Sequence, residues 1–129
     1  MLNVYTDGSC LKNPGGKGGW AFCVVNGNNK YTCVSGSTLS STNNRMELQA
    51  VIEALHFISA KEICIHSDSM LTINCATGKW RRKANLDLWK EFDKYIIFHN
   101  VKWQWVKAHN GNKYNEIVDT LARDTAKSQ

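Results

Sequence analysis

"YTDGSCLKNPGG", residues Tyr5 to Gly16, decides how the chain is read. Leu2, Val4 and Thr6 alternate with Asn3, Tyr5 and Asp7, the period-two pattern of a β-strand whose successive side chains take opposite faces. Gly8 and then Asn13-Pro14-Gly15-Gly16 are expected to end that strand, because glycine, asparagine and proline favour turn geometry. The stretch therefore sets one carboxylate, Asp7, at the end of a first strand.

Two further β-rich runs follow, Trp20 to Val25 and Lys30 to Val34, and Asn26-Gly27 between them signals a hairpin because both residues tolerate positive φ. From Asn44 the period changes. Leu48, Val51, Ile52, Leu55 and Ile58 recur at helical spacing, predicting a helix that ends near Ser59 or Ala60. A short strand is expected over Ile63 to Ser67, a short helix over Ser69 to Ala76 closed by Gly78, and a longer helix over Asn85 to Phe98. Val101, Trp103 and Trp105 alternate with Lys102 and Gln104, a fifth strand whose tryptophans read as core. A loop from Lys107 to Lys113 leads to a last helix, Tyr114 to Ala126, with Val118, Leu121 and Ala122 facing inward.

The order β-β-β-α-β-α-α-β-α predicts an α/β protein: an antiparallel start, crossovers long enough for parallel pairing, and a mixed sheet covered by helices. Its 129 residues, 43% of them apolar, suit a single domain over 1–129, since domains commonly run to roughly 100 to 150 residues. Sixteen Lys and Arg against eleven Asp and Glu favour a polyanionic partner without identifying it. Five cysteines at irregular spacings, with no C-x-x-C pair, are expected to be reduced, buried thiols. No apolar run approaches the ~18 residues of a membrane span and no basic, apolar leader precedes the first strand, so an intracellular, cytoplasmic protein is expected.

Four acids each have an ordinary reading when taken alone. Asp7 precedes glycine, as in a turn. Glu47 stands three residues after Asn44, as in a capping box. Asp68-Ser69 marks a strand-to-helix junction where either side chain suits an N-cap, and Asp119 lies on a helix that solvent can reach. Together they gain meaning, because right-handed crossovers set strand four parallel to strand one and bring the carboxyl ends of both to one edge. Adjacent strands lie about 4.8 Å apart, so Asp7 and Asp68 would repel, raising a pKa or requiring a cation. At 100° per residue Glu47 edges the helix face that packs on the sheet. Oxygen donors without interleaved His or Cys suit Mg2+, or Mn2+ in its place.

At this point the residues resemble a known family, the type 1 ribonucleases H. "YTDGSCLKNPGG", "STNNRMEL" (Ser41 to Leu48), "SDS" (Ser67 to Ser69), "LDLW" (Leu86 to Trp89), "WQWVKAHNG" (Trp103 to Gly111) and "NEIVDTLA" (Asn115 to Ala122) are similar to its motifs, in order, across practically the whole chain. The resemblance implies the ribonuclease H-like fold, a mixed five-stranded sheet of order 3-2-1-4-5 with helices on both faces. It also implies cleavage of the RNA strand of an RNA/DNA hybrid by two metal ions, leaving 3'-hydroxyl and 5'-phosphate ends. Carried over by position, Asp7, Glu47, Asp68 and Asp119 resemble the metal ligands, Asp7 bridging and Glu47 also near the 2'-hydroxyl. His109 resembles the loop histidine that handles the attacking water or helps product leave. Asn13, Asn43 and Asn44 resemble hybrid-contacting residues, Thr42 part of a phosphate pocket, and Trp80, beside Arg81-Arg82-Lys83, the aromatic flank of the DNA groove. A free-standing monomer whose partner is the hybrid duplex is expected.

The chain departs from the family in three places. Longer members carry a basic helix and loop before the LDLW motif, where only Arg81, Arg82, Lys83 and Ala84 stand here. Met70 replaces a frequent glutamine, and Ala108 a frequent glycine. A non-catalytic hybrid-binding module, a DNA-processing enzyme of the same fold and the nuclease part of a longer polyprotein remain alternatives at this point.

Overall fold

The computed structural model describes all residues from Met1 to Gln129. Three antiparallel strands open it: β1 (Leu2–Cys10), β2 (Gly18–Val25) and β3 (Tyr31–Thr38). Helix α1 (Asn43–Phe57) then crosses to β4 (Glu62–Ser67), which pairs parallel with β1. Two helices, α2 (Met70–Ala76) and α3 (Leu86–Ile96), lead to β5 (Asn100–Trp105), parallel with β4, and α4 (Lys113–Lys127) closes the chain. The sheet order β3-β2-β1-β4-β5 and its mixed pairing are those expected.

Alternation along β1 divides the molecule into two layers. Val4, on one face, joins Phe22, Ile63 and Ile65 against Leu48, Val51, Ile52 and Leu55 of α1 and Leu88, Trp89 and Phe92 of α3. On the other face Ala21 and Cys23 of β2 pack against Val118 and Ala122 of α4. Close approach of α4 depends on Gly19, where a Cβ would meet the Ala122 carbonyl oxygen.

Four expectations are corrected. β1 does not stop at Gly8; it runs through to Cys10, so Asp7-Gly8 is strand and not turn. The β2–β3 hairpin forms as expected, but its positive-φ residues are Asn28 and Asn29 (φ 69° and 61°) of a 3-10 turn over Gly27–Asn29, not Asn26 and Gly27, and Val25 pairs with Tyr31. That register sets Cys23 directly opposite Cys33, and the two are joined as a disulfide, so only Cys10, Cys64 and Cys75 are buried free thiols. Trp103 packs on the core, but Trp105, the last residue of edge strand β5, is 44% exposed.

Candidate active site

The site begins with the loss of a side chain. Asp7 faces Ala21 across the β1–β2 ladder and so takes the α4 side of the sheet, where it is almost wholly buried. Gly8 takes the α1 side, where a Cβ would sit 2.2 Å from the Met46 carbonyl carbon and 2.3 Å from the Glu47 amide nitrogen. Because Gly8 has none, the first turns of α1 lie directly on the strand. The Gly8 amide then donates to Oδ1 of Asp7 at 2.9 Å and to Oε1 of Glu47.

Glu47 is free for this contact because it caps nothing. The N-cap of α1 is Thr42, whose hydroxyl accepts from the Arg45 amide, not Asn44 as the capping-box reading supposed. Asp68 is freed in the same way, since Ser69 caps α2 by accepting from the Thr72 amide. The β1–β4 register pairs Tyr5 with His66, and two residues further on Asp7 comes beside Asp68. The Trp105 indole donates to the Asp68 carbonyl at 3.2 Å and fixes the backbone there. One carboxylate oxygen from each of Asp7, Glu47 and Asp68 lies within 4.8 Å of the others.

Burial of this cluster disfavours its charge. Asp7 is pushed up to about 7, chiefly by desolvation and further by the charges of Asp68 and Asp119, while its hydrogen bonds with Glu47 and the Gly8 amide oppose the rise. Glu47 is raised well above the usual carboxylate range, first by burial and then by Asp7 and Asp68. The contact between the two acids favours charge on Asp7 and disfavours it on Glu47. Buried oxygens that accept a proton in place of a missing countercharge suit a hard divalent cation.

Asp119 enters from α4. Its charge acts on Asp7, but its nearest partners are Arg123, whose Nη2 lies 3.1 Å from Oδ2, and His109, whose Nδ1 lies 3.8 Å from the same oxygen. His109 adopts φ 54° in an exposed loop. Glu116, one turn before Asp119, completes a second group, with one ligand atom each from His109, Glu116 and Asp119 within 4.8 Å of one another. Sequence reasoning passed over Glu116, although its i, i+3 spacing from Asp119 puts both on one helix face. It also passed over Gly8 and Trp105 as determinants of the site.

The expected substrate contacts fall into two groups. Asn13, Thr42 and Asn43 interlock at the start of α1: the Asn43 amide donates to Asn13 Oδ1 at 3.1 Å, and Asn43 Oδ1 accepts from the Cys10 amide at 2.8 Å. Asn44 and Trp80 lie apart from these, around a cavity between α1, α2 and α3. Arg82 does not join them. Its guanidinium lies 4.3 Å from the Trp89 ring centroid and bonds both oxygens of Asp93 at 3.0 Å. The remaining histidines serve the fold: His56 stacks on Tyr95, His66 on Tyr5, and His99 bridges the carbonyls of Leu55 and Ala60.

Comparison with known proteins agrees with this architecture. The RNase H family model matches residues 1–127. A ribonuclease H of Anaplasma marginale is 42% identical over 93% of this chain and 86% of its own length. LC9-RNase H1, described as a type 1 RNase H with the type 2 active-site motif, superposes with a TM-score of 0.83 at 31% identity, over 99% of this chain and 72% of its own. LC11-RNase H1, solved in complex with an RNA/DNA hybrid, shares the fold with a TM-score of 0.86 at 18% identity, over 99% and 98% of the two chains. A match of this extent, on a sheet of this order, means that the chain belongs to the ribonuclease H family.

Proposed function

We propose that the chain hydrolyses the RNA strand of RNA/DNA hybrids endonucleolytically, leaving 3'-hydroxyl and 5'-phosphate ends. The observation that carries this reading is the meeting of Asp7, Glu47 and Asp68 just past the end of the parallel β1–β4 pairing, with no lysine or arginine to neutralise them. Asp7, Glu47, Asp68 and Asp119 would hold two Mg2+ ions, or Mn2+ in their place. Such ions supply charge stabilisation to the attacking and leaving oxygens of an in-line displacement at phosphorus.

The side chains divide the remaining work. Glu47, reaching from α1 across Gly8, stands where it can also accept from a ribose 2'-hydroxyl, which selects RNA on the cleaved strand. His109, exposed beside Asp119, carries protons to or from solvent as water attacks and product leaves. Asn13, Asn43 and Asn44 present amide groups to sugars and base edges, Thr42 marks the phosphate contact at the start of α1, and Trp80 offers an aromatic face to the DNA strand. Selectivity on this reading follows hybrid shape and not base sequence. The chain acts as a monomer and a single catalytic domain. LC11-RNase H1 offers a precedent in the fold for holding a hybrid.

The test is a labelled hybrid incubated with Mg2+ or with chelator, beside all-RNA and all-DNA duplexes. Cleavage confined to the RNA strand of the hybrid, dependent on Mg2+ and lost in Asp7→Asn, is the expected result. Full activity in Asp7→Asn would overturn the assignment.

A further inference from the structure

Helix α4 is seated on a thin layer, in which Ala21 and Cys23 of β2 lie under Val118 and Ala122 and Cys33 packs at the margin. Strand register sets Tyr5, Cys23 and Cys33 in one row across β1, β2 and β3, and Asp7, Ala21 and Ser35 in the next row on the same face. The Cys23–Cys33 disulfide therefore lies one row from Asp7 and within the layer that supports Val118, the residue before Asp119.

Elsewhere α4 has little freedom. A Cβ at Gly19 would sit 2.1 Å from the Ala122 carbonyl oxygen, and Thr125 Oγ1 donates to Ser35 Oγ at 2.9 Å. These contacts pin the second half of the helix to β2 and β3, while the first half, with Glu116 and Asp119, depends on the layer that holds the sulfurs. One disulfide and two thiols do not fill such a layer equally. On reduction the sulfurs move apart to nonbonded contact and each carries a hydrogen, which overfills a close-packed interior. Access is from one side, because Cys23 is wholly buried and Cys33 stands partly exposed on edge strand β3.

We propose that the Cys23–Cys33 disulfide is a site of thiol–disulfide exchange for a dithiol reductant, and that its redox state sets the seat of α4 and so the approach of Asp119 to Asp7, Glu47 and Asp68. A thiolate of the dithiol attacks Cys33 Sγ, forms a mixed disulfide and expels the Cys23 thiolate, which takes a proton. The second thiolate of the reductant then attacks the reductant's sulfur in the mixed disulfide, closing a cyclic disulfide and releasing Cys33 as a thiol. Two electrons and two protons pass from the dithiol to the protein, and a small disulfide oxidant reverses the change. The disulfide form has the assembled site. Its effect on cleavage rests on the hybrid reading above, whereas the exchange and the movement of α4 do not.

Protein oxidised with glutathione disulfide and protein reduced with dithiothreitol are compared, both metal-free and with the reagent removed under inert gas. Alkylation after unfolding should count three free thiols in the first, Cys10, Cys64 and Cys75, and all five cysteines in the second. Reduction should speed amide hydrogen exchange over residues 116–122 by about tenfold and leave α1 unchanged, as a local opening does. In Mg2+ the reduced form should cleave the hybrid roughly fivefold to tenfold more slowly at unchanged KM, and recover on reoxidation, because the acids are displaced and the α1 contacts are not. Cys33→Ser should behave as the reduced protein and ignore dithiothreitol; if it does not fold, the two forms of the wild-type protein decide the matter. Five thiols after oxidation, or a disulfide mapped to another pair, overturns the site. Equal exchange of α4 in the two forms, or a response to dithiothreitol that persists in Cys33→Ser, overturns the coupling. Failure of the oxidised protein to cleave the hybrid would sink the function reading and leave the thiol counts and exchange rates to judge the proposal.

Discussion

Gly8 and Glu47 meet through a single hydrogen bond, from the strand amide to the helix carboxylate, across a gap that no other residue would leave open. Asp7 and Glu47 belong to opposite sides of the sheet, and this is where their charges come together. Gly8→Ala should force α1 away from β1 and carry Glu47 with it. Overpacking commonly costs about 1 to 3 kcal/mol, and the collision here is with backbone that cannot rotate aside. The variant should therefore melt several degrees lower and lose most hybrid cleavage, as thermal denaturation and a cleavage assay would reveal.

The acids also link stability to pH. Asp7 is raised from 3.8 to about 7 in the folded protein and Glu47 rises in the same direction. Between those values the folded state binds more protons than the unfolded one, so stability falls as pH rises, by about 1.4 kcal/mol per pH unit for each proton of difference. Metal-free protein should be more stable near pH 5 than near pH 8, and Asp7→Asn should flatten that slope. Mg2+ should raise the melting temperature strongly at the higher pH and weakly at the lower one, where it competes with protons. Calorimetry across the range, with and without chelator, checks all three.

Trp105 is a positioning residue. Its indole holds the Asp68 carbonyl, while its ring remains largely exposed. Trp105→Phe keeps an aromatic ring and deletes the donor, which should cost about 1 kcal/mol of stability. Loosening the Asp68 backbone should lower kcat by roughly tenfold, since small misplacements of reacting groups are expensive. KM for the hybrid should stay unchanged, because Trp105 touches none of the assigned duplex contacts.

Arg81 and Arg82 are adjacent and should behave oppositely. Arg82→Ala removes a paired and stacked guanidinium and should cost about 2 kcal/mol, with Arg82→Lys restoring little of it because an ammonium provides neither the planar stack nor the forked bond. Arg81→Ala should leave stability within about 0.5 kcal/mol. Its effect should appear instead as weaker nucleic-acid binding with a reduced dependence on salt. Urea denaturation and binding at several salt concentrations distinguish the pair.

Much of this was legible in the sequence because hydrophobic period and crossover length constrain topology strongly. The alternation around Val4 and the helical stripe from Leu48 to Leu55 marked the elements and a mixed sheet, while the sheet order came from the family resemblance. Register was less legible. Four consecutive turn-formers, Asn26 to Asn29, leave the centre of a hairpin undetermined, and the apposition of Cys23 with Cys33 depends on that centre. Alternation assigned Trp105 to a face but carried no information on whether anything covers that face at the end of an edge strand. Spacing rules likewise offered Asn44 as the start of α1, whereas Thr42 is the cap. The joining of Glu47 to Asp7 depends on a missing Cβ beneath a helix, a long-range contact that no local pattern records.

Asp7 lies on the first strand and Asp119 on the last helix, with Glu47 and Asp68 between them. A ribosome releases these residues in that order, so Asp119 joins the other three acids only after α4 has emerged and docked on Ala21 and Cys23. An emerging polypeptide that has not yet released α4 therefore lacks one of the four acids assigned to the site.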